Sequence, residues 1–209
     1  MDGELQLEQT AAKEQKPQGP AAALFDCAEV FVWTVVCVML LLICAFRVCK
    51  VSGPSMNNTL LDGQTLVVSN LLYTPDTGDI VVFHQISDVY DQFNEPIVKR
   101  VIATGGEFVK IDFKASKLYV SEDASFEEDE VLDERAYALF ENPNGVWKES
   151  FYQSEAVYAV PEGYLFVLGD NRNVSADSRS QYVEFVDERS VLGRVFVRVT
   201  PLSKFGKVD

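Results

Sequence analysis

An uncharged run of 17 residues, 30–46, limits what this chain can fold into more than any other part of its sequence. The run reads "VFVWTVVCVMLLLICAF", and Thr34 is its one clearly polar side chain. Its length is at the short end of the roughly 17–25 residues that cross a bilayer. A core helix of a globular domain would keep a polar stripe, which one threonine does not supply. The run therefore predicts a transmembrane helix, which we place at residues 24–48.

The residues around this run argue against a cleavable signal peptide. Residues 1–29 carry two lysines and six acidic residues, whereas a signal peptide begins with a basic region. No pattern of small residues closes the run, because Ala45 is followed by Phe46 and Arg47. We therefore predict a retained, single-pass anchor in the cell membrane, with the lipid bilayer as a partner.

The rest of the chain divides into a short tail and a long domain. Residues 1–23 are polar, rich in Gln and Ala and interrupted by prolines at 17 and 20, which predicts a disordered tail. The four cysteines stand at positions 27, 37, 44 and 49. Residues 51–209 can therefore form neither a disulfide framework nor a cysteine metal site. Palmitoylation of Cys27 or Cys49 stays open.

Charge excludes one class of partner. The chain has a net charge of −14, and residues 51–209 hold 14 basic and 26 acidic residues. A phosphate backbone demands a basic surface, so we expect no nucleic acid partner. The densest acidic stretch, residues 121–135, has eight acidic residues and predicts a solvated loop. It lacks the glycine-punctuated pattern of a calcium loop, and we predict neither a metal site nor a cofactor.

Beyond the membrane helix, the pattern changes to short apolar runs separated by turn residues. Their β-branched and aromatic content predicts strands, and no second long amphipathic helix is evident. We interpret residues 115–160 as a peripheral excursion. The predicted strands are "TLVVSN", "DIVVFHQ", "PIVKRVIAT", "FVKIDF", "KLYVS", "YLFVLGD" and "VLGRVFVRVT".

Ser55 stands on a Gly-Pro-Ser turn, "VSGPSMNNTL", a few residues after the apolar run. A serine on such a turn is either a turn former or a nucleophile, and a nucleophile needs a base to take its proton. His84 is the only histidine, at the end of a predicted strand with no acidic residue placed to orient it. A Ser-His-Asp triad is therefore not expected.

Lys99 is the alternative base, because it lies inside the β-branched run "PIVKRVIAT". Strand alternation puts it on one face with Ile97 and Val101. Burial there would lower its pKa from about 10.4, as a base acting near neutral pH requires. An edge strand with Lys99 facing water fits the pattern equally well.

A third signal is the polar stretch "LGDNRNVSADSR", residues 168–179, directly after an apolar strand. A plain turn needs three or four residues, and this stretch is dense with side chains that hydrogen-bond backbone and each other. It suits a loop that supports a site. Asp177 and Arg179 are placed to form an ion pair there.

Together these segments resemble the bacterial type I signal peptidases, membrane-anchored serine-lysine proteases of the secretory pathway. The resemblance runs from the membrane helix to about Pro201. It is carried by four motifs in order, of which the last is the most specific: "SGPSMNNTL", "GDIVVF", "VKRVIATGG" and "GDNRNVSADSR". This sequence departs from the family at Asn58, where proline is usual, and at "ATGG", which replaces a Leu-Pro-Gly run.

The resemblance implies a mainly β fold: one N-terminal transmembrane helix, then a catalytic domain over residues 49–209 with an inserted second β-region at 115–160. It implies Ser55 as nucleophile and Lys99 as general base, with Ser175 hydrogen-bonded to the lysine. Asp177 and Arg179 would form a structural pair beside the site. The residues matching the pockets for small substrate side chains are Val51, Met56, Leu60 and Val98.

The expected activity is that of an endopeptidase that removes signal peptides after small residues at the −1 and −3 positions. The Ser55 N–H would hold the oxyanion, and Gly53 offers no hydroxyl to help it. Expected partners are precursor proteins with signal peptides and the nearby secretory translocon, with residues 49–209 outside the cytoplasm. Two other interpretations stay open: a repressor-type Ser/Lys autoprotease, and a catalytically silent membrane-tethered β-module.

Overall fold

The computed structural model describes residues 19–85, 95–127, 130–140 and 155–208. It divides into two compact units, Met1–Cys44 and Ala45–Asp209. The described part of the first unit is essentially one helix, α1 (Pro20–Ala45), which buries none of its residues. Its most apolar window has a mean hydropathy of 2.5, so by length and composition it can cross a membrane.

The helix bounds correct those predicted from the sequence. The helix begins at Pro20, so residues 20–23 are helical rather than part of the tail. Proline suits the first turn of a helix, where its missing N–H has no partner to lose. The helix ends at Ala45, because the residues that follow pair as a strand with Thr65–Ser69. The remainder of the predicted tail, residues 1–18, lies outside the described residues.

The second unit is built from two antiparallel sheets. One has seven strands in the order β1-β2-β10-β3-β4-β8-β9, and the other has three in the order β6-β5-β7. The mainly β prediction is confirmed. The strands are β1 (Phe46–Lys50), β2 (Thr65–Ser69), β3 (Ile80–Phe83), β4 (Ile97–Ala103), β5 (Phe108–Asp112), β6 (Lys117–Ser121), β7 (Glu155–Ala159), β8 (Tyr164–Leu168), β9 (Val186–Asp187) and β10 (Val191–Arg198).

All seven predicted strands are present, and β1, β7 and β9 are additional. The three-stranded sheet combines β5 and β6 with β7, which lies beyond residues 141–154 and returns to pair along the whole of β5. A core cluster that contains Ile102, Ile111 and Phe166 joins residues of the two sheets. The apolar contact between the sheets thus fixes the second β-region against the first.

Strand β4 occupies the position that matters most for the site. It is central, with β3 on one side and β8 on the other, and Lys99 pairs with Val81 across the β3–β4 ladder. All four residues of β3 are buried, as expected for a strand covered on both faces. Lys99 therefore lies in the interior of the sheet, and the edge-strand alternative does not apply.

Candidate active site

The turn that carries Ser55 is fixed from both sides. Gly53 has a left-handed φ of 84°, which glycine adopts at no steric cost, and its N–H donates to Asp62 Oδ1 at 2.8 Å. Asn171 donates its backbone N–H to Ser55 O at 3.0 Å and its side-chain Nδ2 to Pro54 O at 3.2 Å. Asn171 and Asp62 were not singled out from the sequence, since nothing in their local pattern shows that they reach this turn.

Lys99 lies in contact with Ser55. Its Nζ is 2.9 Å from Ser55 Oγ and donates to Val98 O at 3.0 Å. The residue is 3% exposed, and burial lowers the pKa of Lys99 to about 8, although the carboxylates of Asp177 and Asp170 oppose that shift. A lysine with this pKa is partly neutral near neutral pH and can accept the serine proton.

The loop of residues 169–179 supports the pair. Asp177 is fully buried and ion-paired with Arg179, whose Nε is 2.7 Å from Oδ1. Asp177 Oδ2 also accepts the N–H of Gly169 at 3.0 Å. Burial alone would raise the pKa of Asp177, but the charge and hydrogen bonds of Arg179 and the Gly169 N–H outweigh it and hold the pKa below its usual value.

Ser175 is placed close to the pair but without the predicted contact. Its Oγ is buried and close enough to the Asp177 carboxylate to help lower the pKa of that group, but in the part of the chain that the structure describes it forms no hydrogen bond with Lys99. The absence of a side chain at Gly169 lets the loop of residues 169–179 approach the turn that carries Ser55 closely. A Cβ at Gly169 would overlap both the Ser175 side chain and the carbonyl oxygen of Ser55.

Three of the four predicted substrate-binding residues border an open cleft beside the pair. Val51, Met56 and Val98 line a cleft of about 240 Å³ together with Ser55 and Lys99. Leu60 does not line it. Leu60 is fully buried and packs in one core cluster with Val51 and Met56, so in this structure it supports the cleft wall from behind, and its role as a substrate contact stays a prediction. Further lining residues that the sequence did not indicate are Glu95, Pro96, Ile97, Val174 and Ala176.

A second buried ion pair ties the lysine strand to the same loop. Arg100 follows Lys99 in β4, and its Nε and Nη2 donate to the two oxygens of Asp170 at 2.9 and 2.8 Å. Both residues are buried, and Arg100 Nη1 also donates to Gly78 O at 2.8 Å. Removing one partner of such a pair would leave an uncompensated buried charge, which costs about 3–5 kcal/mol.

The other candidate groups lie elsewhere. His84 is exposed beyond the end of β3, where its backbone N–H donates to Ser190 O. In the parts of the chain that the structure describes, no group of three or more His, Cys, Asp or Glu side chains could hold a metal ion. Ser55 and Lys99 both line the cleft.

A serine on a turn, in contact with a buried lysine and beside an open cleft, is an arrangement that can support hydrolysis. The family model described as "Signal peptidase, peptidase S26" matches residues 24–200. The chain belongs to this family, which confirms the resemblance to bacterial type I signal peptidases carried by its four motifs. Family membership makes it a serine endopeptidase that removes signal peptides, and the apolar helix α1 fits a membrane-anchored protein.

Two relatives identified by sequence agree with this assignment. Signal peptidase IB of Staphylococcus aureus is 32% identical over 164 residues, which cover 74% of this chain and 78% of that protein. Signal peptidase I of Streptococcus pneumoniae is 29% identical over 180 residues, covering 75% and 83%. A crystal structure of a signal peptidase I from Enterococcus faecalis aligns at 30% identity with a TM-score of 0.40, over 59% of this chain and 97% of that one.

Proposed function

We propose that this protein cleaves signal peptides from secreted precursors with Ser55 as the nucleophile and Lys99 as the general base. The observation that carries the proposal is the 2.9 Å separation of Lys99 Nζ and Ser55 Oγ beside an open cleft. No histidine competes for the role, since His84 is exposed at the far end of β3. Burial supplies the remaining requirement, a lysine that can be neutral.

The proposed chemistry uses the lysine twice. Neutral Lys99 takes the proton of Ser55 as Oγ attacks the scissile carbonyl carbon, and the Ser55 N–H stabilises the resulting oxyanion. The ammonium then gives its proton to the departing amine, and the C–N bond breaks to leave an acyl ester on Ser55. Lys99 next deprotonates a water molecule that attacks this ester. The carboxylate product leaves, and the proton returns to Ser55.

The pKa of Lys99 decides whether this is feasible. With a pKa of about 8, roughly a tenth of the lysine is neutral at pH 7. With the ordinary value of about 10.4, the neutral fraction would be below about one in a thousand. The lowered pKa therefore increases the neutral, active form of the base by about two hundredfold at pH 7.

The cleft supports a preference for small residues at the −1 and −3 positions of the substrate. Its walls include Val51, Met56 and Val98, of which Val51 and Met56 are almost fully buried. Rigid, close-packed apolar walls leave little room for a large side chain, because overpacking a well-packed site costs about 1–3 kcal/mol. We propose that Ala-sized side chains fit and larger ones are rejected.

We propose a single-pass topology with residues 49–209 outside the cytoplasm, where cleavage sites emerge. A signal peptide keeps its apolar segment in the bilayer, with its scissile bond just outside. An enzyme anchored in the same bilayer meets that bond with little search, which makes precursors, the bilayer and the translocon region its working partners. The acidic composition of the domain argues against nucleic acid.

The experiment is to incubate the detergent-solubilised full-length protein with a signal-peptide precursor and follow the size of the product. We expect cleavage by the wild type and none by Ser55→Ala, Lys99→Ala or Lys99→Arg. Arginine keeps the positive charge but cannot lose its proton at accessible pH. Near-wild-type kcat for Lys99→Arg would refute the mechanism. Cleavage only of the protein itself would favour an autoprotease, and no cleavage at all would favour a silent module.

A further inference from the structure

Residues 134–139, which we call the bracing segment, lie within the region predicted to be a peripheral insertion. The segment is nonetheless hydrogen-bonded to the loop that supports the site. Leu139 donates its N–H to Asp170 O at 2.7 Å and accepts the N–H of Arg172 at 2.9 Å, which makes a parallel bridge to Asn171. These two bonds flank Asn171, the residue that donates to Ser55 O and Pro54 O.

A buried ion pair reinforces this contact. Glu134 pairs with Arg172, and their side chains are 10% and 0% exposed. Burial raises the pKa of Glu134, and the Arg172 charge partly opposes that rise. Glu134 thus contradicts the prediction that residues 121–135 are a wholly solvated loop. Its neighbour Asp133 fits that prediction, since it is 61% exposed and paired with the exposed Arg135.

The aromatic ring of the bracing segment contacts the lysine strand. Arg100, next to Lys99, places its guanidinium 4.0 Å from the centre of the Tyr137 ring, and Arg172 lies 5.8 Å from the same centre. The carbonyl oxygen of Tyr137 accepts the Nδ2 of Asn58 at 3.1 Å, on the turn that carries Ser55. The segment therefore contacts the serine turn, the lysine strand and the loop between them.

We propose that the bracing segment holds Ser55 and Lys99 in register, with Glu134 as a positioning residue that fixes Arg172 and, through it, Asn171. This deepens the proposed serine-lysine function and rests on it. Without the Glu134 carboxylate, Arg172 would be a fully buried cation that has lost this partner. Such a charge draws in water or moves outward, and the backbone of residues 170–172 moves with it. A shift of about 1 Å at a reacting atom can cost about a hundredfold in rate.

The test compares Glu134→Gln and Glu134→Asp with the matched control Asp133→Asn in the full-length enzyme. We expect Glu134→Gln to lower kcat about ten- to a hundredfold with KM within about twofold, and Glu134→Asp to recover part of the loss. Asp133→Asn removes an adjacent exposed carboxylate and should stay within about twofold of the wild type.

The pH dependence of kcat/KM separates positioning from partial unfolding. An inactive fraction scales the profile without moving its midpoint. The charged groups that act on Lys99 are Asp170, Asp177 and Arg179, all on the loop that Glu134 would hold. A displaced loop must therefore move the midpoint, and we expect an alkaline shift because water entering the site relieves the burial of Lys99. A wild-type kcat or an unmoved midpoint for Glu134→Gln would overturn the inference.

A second variant covers the case in which Glu134→Gln does not fold. Asn58→Gly removes the Nδ2 donor to Tyr137 at an exposed position without adding a charge, and we expect a several-fold loss of kcat with a moved midpoint. Wild-type values in this variant would count against the bracing role. The proposed function has a separate test, because it is refuted if Ser55→Ala still cleaves the precursor. If Ser55→Ala is inactive but Glu134→Gln behaves like the wild type, only the bracing role is refuted.

Discussion

At the scale of single residues, the decisive group is the amine of Lys99. Lys99 is almost fully buried, and the carboxylates of Asp177 and Asp170, which raise its pKa, are ion-paired with Arg179 and Arg100. The charge of Arg179 itself lowers the pKa of Lys99 and offsets part of the effect of the carboxylates. The burial of Lys99 therefore prevails, and its pKa falls to about 8.

This pKa predicts the pH dependence of cleavage. The active form of the base is the neutral one, so kcat/KM should rise with pH through a midpoint of about 8 and level off above it. The measurement is kcat/KM for a peptide substrate from about pH 6 to pH 9.5, at constant ionic strength. A profile that is flat across this range, or that falls with rising pH, would exclude a titrating lysine base.

At the scale of elements, the turn after Ser55 is built differently from a proline turn. Asn58 stands where the family usually has proline, and its φ is 88°. Asparagine tolerates this left-handed region better than most residues, whereas the proline ring locks φ near −65°. The replacement of the family's usual proline by Asn58 thus goes with a turn of different backbone conformation. The Asn58 side chain donates a hydrogen bond from this turn to Tyr137 O.

We predict that Asn58→Pro lowers kcat by at least about tenfold, because the proline would force the turn out of its left-handed conformation. Asn58→Gly is the control, since glycine keeps the conformation and loses only the side-chain hydrogen bond, so its loss should be several-fold at most. Both are measured by steady-state cleavage alongside thermal unfolding. An Asn58→Pro enzyme with wild-type kcat would show that the turn does not need this conformation.

Local pattern was enough to predict most of the strands. The runs that became β2, β3, β4 and β8 are rich in β-branched or aromatic residues and bounded by turn residues, and such strands can be predicted with little context. β1 was missed because its first residue continues the apolar run of the helix. β9 has only two residues, and β7 has three exposed residues of five and none that is buried, so neither produces a distinct apolar pattern.

The site was predicted as far as motifs reach. Ser55 and Lys99 come from segments with their own signatures, and the structure brings them into contact. The burial of Lys99 could not be read from its strand, because it depends on β3 and β8 pairing on either side. The buried position of Glu134 could not be predicted for a related reason. Within a run of acidic residues, the sequence does not indicate which carboxylate is buried against an arginine.

At the scale of the whole molecule, the charges flanking the helix and the membership of the signal peptidase family predict opposite orientations of the chain in the membrane. Lys13 and Lys16 precede the helix, and Arg47 and Lys50 follow it, a tie in number. Proximity to the helix end favours Arg47 and Lys50 and weakly places the domain in the cytoplasm. Membership of the signal peptidase family favours the opposite side, and we give it more weight.

The prediction is that protease added to intact cells, with any outer barrier opened, digests the domain after Lys50 and spares the first 25 residues. Fragments are identified by antibodies to tags at each terminus, and a cytoplasmic protein that stays intact serves as the control. If residues 51–209 are protected until the cells are lysed, Ser55 lies on the wrong side of the membrane for signal peptides.

The strand order has a consequence for when the enzyme becomes active. β10, the last of the described strands, lies between β2 and β3, and the loop whose charged groups act on Lys99 follows β8. In a chain that is still being synthesised, Ser55 and Lys99 are made before β8 and β10, and a lysine that is not yet buried would keep its ordinary pKa of about 10.4 and its charge. Under the proposed chemistry, completion of the sheet is therefore the step that activates the enzyme, and the nascent polypeptide is inactive until then.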